Sequence, residues 1–338
     1  MPSERPGGTE VKPKLAYLYP GWYAIVMGLT GLALAWHRAV PLMGEMAGVV
    51  AWLVGVLAAA VFAVLLVATV LRGWRYPEAW AEDRRHPVRH TFIATLPIAA
   101  ILVATVAVAL LGPHPAFDAL WWAGSLGQLG VTVWVLGRWW GRPAWPSVTP
   151  ALFLPIVGNV LAPLAGVPLG HLEWSAAQFG IGLLFWPVVL VLIVVRLAAQ
   201  GSWPDRLRPT VFIVIAPPAV VAMSALQLGA PLLLAWMVWG MAVFALLWAA
   251  TQAKAIVSMP FGLTHWALSF PLASLAALTL RLATPGSLLA VLGPLLLALA
   301  SLVILGLGFG TVRGLRDGSL LAPEPVAPIM PVATTAGP

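Results

Sequence analysis

From about residue 15 onward the chain is a succession of long apolar runs, each closed by charged or Pro/Gly residues. Ten runs are predicted as helices: 15–37, 46–71, 91–111, 117–137, 148–166, 174–196, 210–226, 232–251, 260–281 and 286–312. Each holds about 20 residues, enough to cross a hydrocarbon layer about 30 Å thick. The ten-residue alternation of an outer-membrane barrel is missing. The pattern predicts an all-α polytopic membrane protein. Residues 1–14, "MPSERPGGTEVKPK", read as a polar tail, and the run behind them is too long for the core of a cleavable signal. Residues 15–313 form one membrane domain, and the Pro/Ala-rich 314–338 is expected to be a disordered tail.

Within this pattern a hairpin-length repeat is visible. The third run reads "HTFIATLPIAA", the fifth "TPALFLPIVGNV", the seventh "TVFIVIAPPAVV" and the ninth "THWALSFPLAS". Each has a Thr near its start and a proline near its middle: Pro97, Pro155, Pro217 and Pro271. These prolines are 58, 62 and 54 residues apart, about one helical hairpin each. The first run lacks the proline but carries Gly28 and Gly31 at comparable depth. Proline removes a backbone donor and kinks a helix. Irregular backbone is tolerated in a membrane where protein or a water-filled cavity supplies partners. The odd runs are therefore expected inside, around a pore, with the even runs as an outer layer.

Composition agrees with a membrane protein: 61% of residues are hydrophobic and only 9% charged, against about 25% charged in soluble domains. Of the 18 Lys and Arg, 16 fall on one side of the predicted topology, leaving only Arg38 and Arg281 on the other. The positive-inside rule then places both termini in the cytoplasm. This distribution, rather than nucleic-acid binding, accounts for the net charge of +7. Cysteine is absent, and the six histidines are scattered without metal-ligand spacing, so no metal or cofactor is expected.

The buried chemistry is neutral. Glu45, Asp118 and Glu173 sit at run ends, and no Asp or Glu lies deep in any run. That argues against an acidic cation filter and against a carboxylate proton relay. Deep polar groups are Thr30, Thr95, Thr105, Asn159, Gln178, Ser269, Ser274 and Thr279. A hydroxyl at such a position reads first as helix–helix glue; Asn159, an amide needing several partners, is also a candidate for lining a pore. Phe270, one residue before Pro271, reads either as a packing ring or as a plug aimed at the axis. The odd runs point their positive dipole ends at the arginine-rich face, which suits anions, although the arginines also serve topology alone. Intramembrane enzymes need an acid–base pair, nucleophile or metal cluster at depth, and none is present.

Several segments together resemble one family. "GWYAIVMGLTGLALAW" in the first run, "HPVRHTF" entering the third, "VGNV" in the fifth, "IAPP" in the seventh and "WALSFPLA" in the ninth are similar to the TehA/slow-type anion channel family. This family includes bacterial tellurite-resistance and C4-dicarboxylate transporters, and the similarity extends roughly over residues 15–315. The resemblance implies ten helices as five hairpins with quasi-fivefold symmetry around a central pore, and a homotrimer in a bacterial inner membrane. It implies that Phe270 occludes the pore and that Tyr23 matches a second gating aromatic, here with an added hydroxyl. Gly28, Thr30, Gly31, Pro97, Pro155, Asn159, Pro217, Ser269 and Pro271 would line the path or shape it. Small anions such as chloride, nitrate or C4-dicarboxylates would pass, with membrane lipid as surroundings and no nucleic-acid partner. The competing expectation is a proton-coupled malate-type, tellurite or sulfite carrier.

Overall fold

The computed structural model describes residues 14–141 and 145–322. In chain order the long helices are α1 (Pro20–Met43), α2 (Glu45–Arg75), α3 (Arg89–Leu111) and α4 (Pro115–Gly141). A shorter apolar segment, α5 (Pro150–Gly166), follows. Then come α6 (Leu172–Gln200), α7 (Asp205–Gln227), α8 (Leu232–Ala250), α9 (Leu263–Leu282) and α10 (Leu288–Arg316). Nine of these, all but α5, are long and apolar enough to cross a membrane, counted among the described residues. The protein is a multi-pass helical membrane protein. Most of the two expected tails lies outside the described residues; Lys14 and 314–322 are described, and α10 continues to Arg316.

The segment α5 is short because its sequence breaks it. It divides into a 3-10 turn at Pro150–Leu152, an α-helical piece at Phe153–Val157 with Pro155 in its first turn, a second 3-10 turn opening at Gly158 (Gly158–Leu161) and a last α-helical turn opening at Pro163 (Pro163–Gly166). Each proline lacks the N–H that a continuous helix would use.

A change of winding recurs in every odd segment. α1 opens as a 3-10 helix and becomes α-helical at Ala24; the same change falls at Thr95 in α3, Phe153 in α5, Ala216 in α7 and Ser269 in α9. Pro97, Pro155 and Pro271 are each the third residue of the α-helical part, and Pro217 the second. Here proline sits in a first turn, where its missing N–H is least costly. The repeated prolines thus mark where α-winding begins rather than interrupt a running α-helix.

Burial separates two layers. In the most apolar stretches of α1, α3, α7 and α9, 61–89% of residues are buried, against 22–33% in α2, α4, α6, α8 and α10. Every residue of α5 except Leu164 is buried. The outer helices expose Leu53, Val64, Leu184, Leu233, Phe244 and Phe309, as a surface facing hydrocarbon does. Indole N–H groups tie the layers together. Trp121 on α4 donates to the Ala162 carbonyl at 3.1 Å, Trp239 on α8 to the Thr279 hydroxyl at 3.0 Å, and Trp266 on α9 to the Thr311 hydroxyl of α10 at 2.8 Å.

At the arginine-rich end, a short helix, Pro77–Arg85, joins α2 to α3. Its Asp83, fully buried, meets Arg72 of α2 at 2.8 Å and Arg89 of α3 at 3.1 Å. Arg72 also donates to the Ala16 and Ala79 carbonyls at 3.1 and 3.3 Å. Burial pushes the Asp83 carboxyl above its ordinary range, and the two guanidiniums pull it back.

Candidate functional site

The inner segments surround an apolar cavity of about 70 Å³. Its wall draws on all five: Ala24 and Met27 of α1, Thr95 and Ile98 of α3, Leu154 and Val157 of α5, Ala216 and Val220 of α7, and Ala267 and Phe270 of α9. Most of these pairs are three residues apart, the spacing that brings one helix face round twice. In α1, α3, α7 and α9 the lining residues fall on both sides of the change from 3-10 to α-winding, and in α5 they begin at it, with Phe153. Among the described lining residues there is no Asp, Glu, His, Lys or Arg; hydroxyls come from Tyr19, Thr95 and Thr264. The Thr95 hydroxyl is taken up by the Pro20 and Phe92 carbonyls at 2.5 and 2.7 Å, joining the entrance of α3 to that of α1.

Phe270, Pro217 and Pro271 lie on the cavity wall. Phe270 is only 7% exposed, and its ring rests against α1 at Gly31. A Cβ added there would come within 2.9 Å of the ring and 3.2 Å of the Ala273 Cβ. One turn earlier, a Cβ at Gly28 would sit 2.3 Å from the Ser269 hydroxyl and 2.6 Å from its Cβ. Two glycines therefore let α1 and α9 approach closely enough to seat Phe270 and Ser269 between them. The Ser269 hydroxyl turns back to the Trp266 carbonyl at 2.6 Å. Thr30 does the same within α1, toward the Val26 and Met27 carbonyls at 2.8 and 3.0 Å.

Other expected residues face away from the cavity. Tyr23 is fully buried, and its hydroxyl donates to the Thr69 hydroxyl of α2 at 3.0 Å, with its ring edge-on to Phe62. Asn159 belongs to a polar network shared with α4 and α6. Its amide donates to Thr132 at 2.7 Å and to the Ile156 carbonyl at 3.0 Å, and its oxygen accepts from Gln178 at 3.0 Å. Gln178 also bonds Ser125, through its oxygen at 2.5 Å and to the Ser125 carbonyl at 3.0 Å. Gln128 donates to the Leu154 and Pro155 carbonyls at 2.9 and 3.1 Å, and Thr132 lies 2.6 Å from the latter. The network answers backbone oxygens that the broken α5 leaves without helical partners, which is what a membrane interior demands. Pro97 and Pro155 are likewise buried but absent from the cavity wall. Met27, Ile98, Val157 and Val220 carry little signal in the sequence beyond their three-residue spacing around the repeat, which apolar side chains hide.

An inner ring of five segments about a narrow, carboxylate-free cavity is the geometry, and sequence comparison supplies the kinship. Residues 17–312 match the family described as voltage-dependent anion channel, SLAC1. The chain belongs to the SLAC1 family. Relatives of this SLAC1-family chain span three domains of life. The tellurite resistance protein TehA homolog of Haemophilus influenzae is 29% identical over 262 residues, 76% of this chain and 78% of that protein. The S-type anion channel SLAH2 of Arabidopsis thaliana is 25% identical over 275 residues, 77% of this chain but only 51% of the plant protein. An uncharacterized transporter, MJ0762, of Methanocaldococcus jannaschii is 23% identical over 280 residues, 74% of this chain and 80% of that one. The SLAC1 family is one of channels and transporters rather than enzymes, and this member is a TehA-like membrane anion channel or transporter.

Proposed function

We propose that the protein passes small anions, of the chloride, nitrate or C4-dicarboxylate class, through a central path between its inner segments. In this reading the chain makes ten crossings as five hairpins with quasi-fivefold symmetry, α5 being the shortest. Both termini lie on the cytoplasmic, arginine-rich face of a bacterial inner membrane, and three copies assemble, each with its own path.

The observation that carries this reading is the wall of the cavity: five segments contribute, none of the described lining residues is charged, and Phe270 lies on it, 7% exposed. An anion entering so narrow an apolar space loses its water without gaining partners, a cost of at least several kcal/mol even after relaxation. Phe270 at its present place is therefore the shut state. Moving one ring aside is a small rearrangement compared with displacing a helix. The inner segments begin at the arginine-rich end, so their positive dipole ends favour anions over cations at that mouth. A proton-coupled carrier would need a titratable group on the path, and passive permeation is the simpler reading of a wall with no acid or histidine. Tyr23, bonded to Thr69, serves in this scheme as the anchor of α1 on α2 rather than as a second plug.

The test is Phe270→Ala in reconstituted bilayers or oocytes. Anion conductance should rise at least tenfold while cation permeability stays low. Unchanged current from well-expressed Phe270→Ala protein would remove the plug from the scheme. Reversal potentials under anion substitution rank the permeant species.

A further inference from the structure

A second cavity, of about 560 Å³, lies away from the central one at the arginine-rich end. It is walled by Arg85 of the short helix Pro77–Arg85, His90 at the start of α3, Arg138 and Trp139 at the end of α4, Trp145, and Leu192 of α6. Arg85 and Arg138 have no carboxylate partner among the described residues. No Asp or Glu appears among the described residues of the wall. Arg138 is held in place: one of its terminal nitrogens donates to the Arg84 carbonyl at 3.0 Å, and its guanidinium stacks 5.4 Å from the Trp134 ring. His90 is edge-on to the same ring, and its Nδ1 is 2.9 Å from the His86 carbonyl. Two fixed or exposed arginines without counter-charges, facing one roomy cavity, form a receptor for an oxyanion with several acceptor oxygens.

The surroundings decide which oxyanion. Trp134, Trp139, Trp140 and Trp145 crowd this end, and tryptophan marks the headgroup level of a bilayer. Leu192 continues along α6 into a stripe of exposed apolar side chains, Leu184, Val188 and Val195, spaced four, four and three residues apart. A ligand seated here has arginines around one end and a hydrocarbon-facing helix beside the other. We propose that this cavity binds the phosphate headgroup of an anionic phospholipid, with an acyl chain lying on the α6 stripe. Basic pockets between membrane helices at the cytoplasmic level are suited to such headgroups. The site is independent of whether the central path conducts. The two cavities share no lining residue, but both draw on α5: Leu152 lines the peripheral one and Phe153, the next residue, the central one.

Delipidated full-length protein, titrated with phosphatidylglycerol or with phosphatidylcholine of the same chains and read by native mass spectrometry, tests the assignment. Phosphatidylglycerol should bind and phosphatidylcholine should fail to displace it. Arg85→Gln and Arg138→Gln should each weaken binding about fivefold, and the double variant about thirtyfold. The control Arg313→Gln/Arg316→Gln, at the end of α10, should change it less than twofold. Inorganic phosphate at millimolar concentration should not compete. Full retention by the double variant, or an equal loss in the control, would overturn the proposal. Complete displacement by inorganic phosphate would also overturn it, in favour of a free-anion site. Arg85 is solvent-exposed, so Arg85→Gln alone decides the matter if the double variant does not fold.

Discussion

Phe270 shows how much a single side chain depends on what faces it. The ring's seat is the missing side chain of Gly31, as Ser269 depends on Gly28. Gly31→Ala pushes against the edge of a ring that can swing, whereas Gly28→Ala meets Ser269 close to its backbone. Overpacking of this kind costs about 1–3 kcal/mol. Gly28→Ala should thus lower the thermal unfolding midpoint in detergent more than Gly31→Ala does. Gly31→Ala should raise basal anion current, though less than Phe270→Ala; equal midpoints and unchanged current would contradict this geometry. The Phe-Pro pair at the α9 repeat was readable in the sequence because proline stands out in an apolar run. The direction of Tyr23 was not. Its hydroxyl goes to Thr69, 46 residues away, and the angular phase of a helix whose first turn is 3-10 cannot be counted off at 3.6 residues per turn.

At the scale of elements, the instructive case is α5. The apolar run at 148–166 looked like its neighbours, and its prolines were plain, but its shortness follows from the three prolines acting together. What compensates the breaks is still less visible, since Gln128, Thr132 and Gln178 sit on other helices, 23–27 residues before Pro155 and 19 after Asn159. Glutamine in an apolar run announces that it needs a partner without saying where. Replacing Gln128 by Leu strips donors from the Leu154 and Pro155 carbonyls. The expected loss is about 1 kcal/mol, in line with interhelical hydrogen bonds in membranes, read as a lower midpoint in thermal unfolding. Gln252→Leu, at an exposed amide bonded only to Thr251, should leave the midpoint in place. Similar midpoints for the two variants would mean that water or lipid already serves those carbonyls.

For the whole molecule, layering was legible and its fastening was not. Hydrophobicity alone made every run look alike, but the alternation of proline-bearing runs separated inner from outer helices, and burial follows that alternation. The clamp at the arginine-rich end is hidden in the sequence, because arginines there serve topology as well. The clue was the acidic pair Glu82 and Asp83 set directly before Arg84 and Arg85, in a loop with three further arginines. Removing one partner of a buried ion pair strands the other at a cost of about 3–5 kcal/mol. Asp83→Asn should therefore destabilise the protein markedly by thermal unfolding. Asp205→Asn, which breaks an exposed pair with Arg208 at 2.9 Å, should cost less than about 1 kcal/mol. Equal shifts would show that the buried cluster is dispensable.

The dependence of α5 on its neighbours bears on how the chain is built. Emerging from the ribosome after α4 and before α6, this segment has some but not all of its polar partners. Trp121, Gln128 and Thr132 of α4 are already present for its carbonyls, but Gln178, which takes the Asn159 amide oxygen, and Ser224, which takes the Val160 carbonyl, are not yet made. An insertion machinery that releases helices one at a time would find α5 a poor candidate for release by itself. The hairpin of α4 and α5 should linger at the lateral exit until α6 arrives, so the order of synthesis is also the order in which the middle of this protein becomes stable.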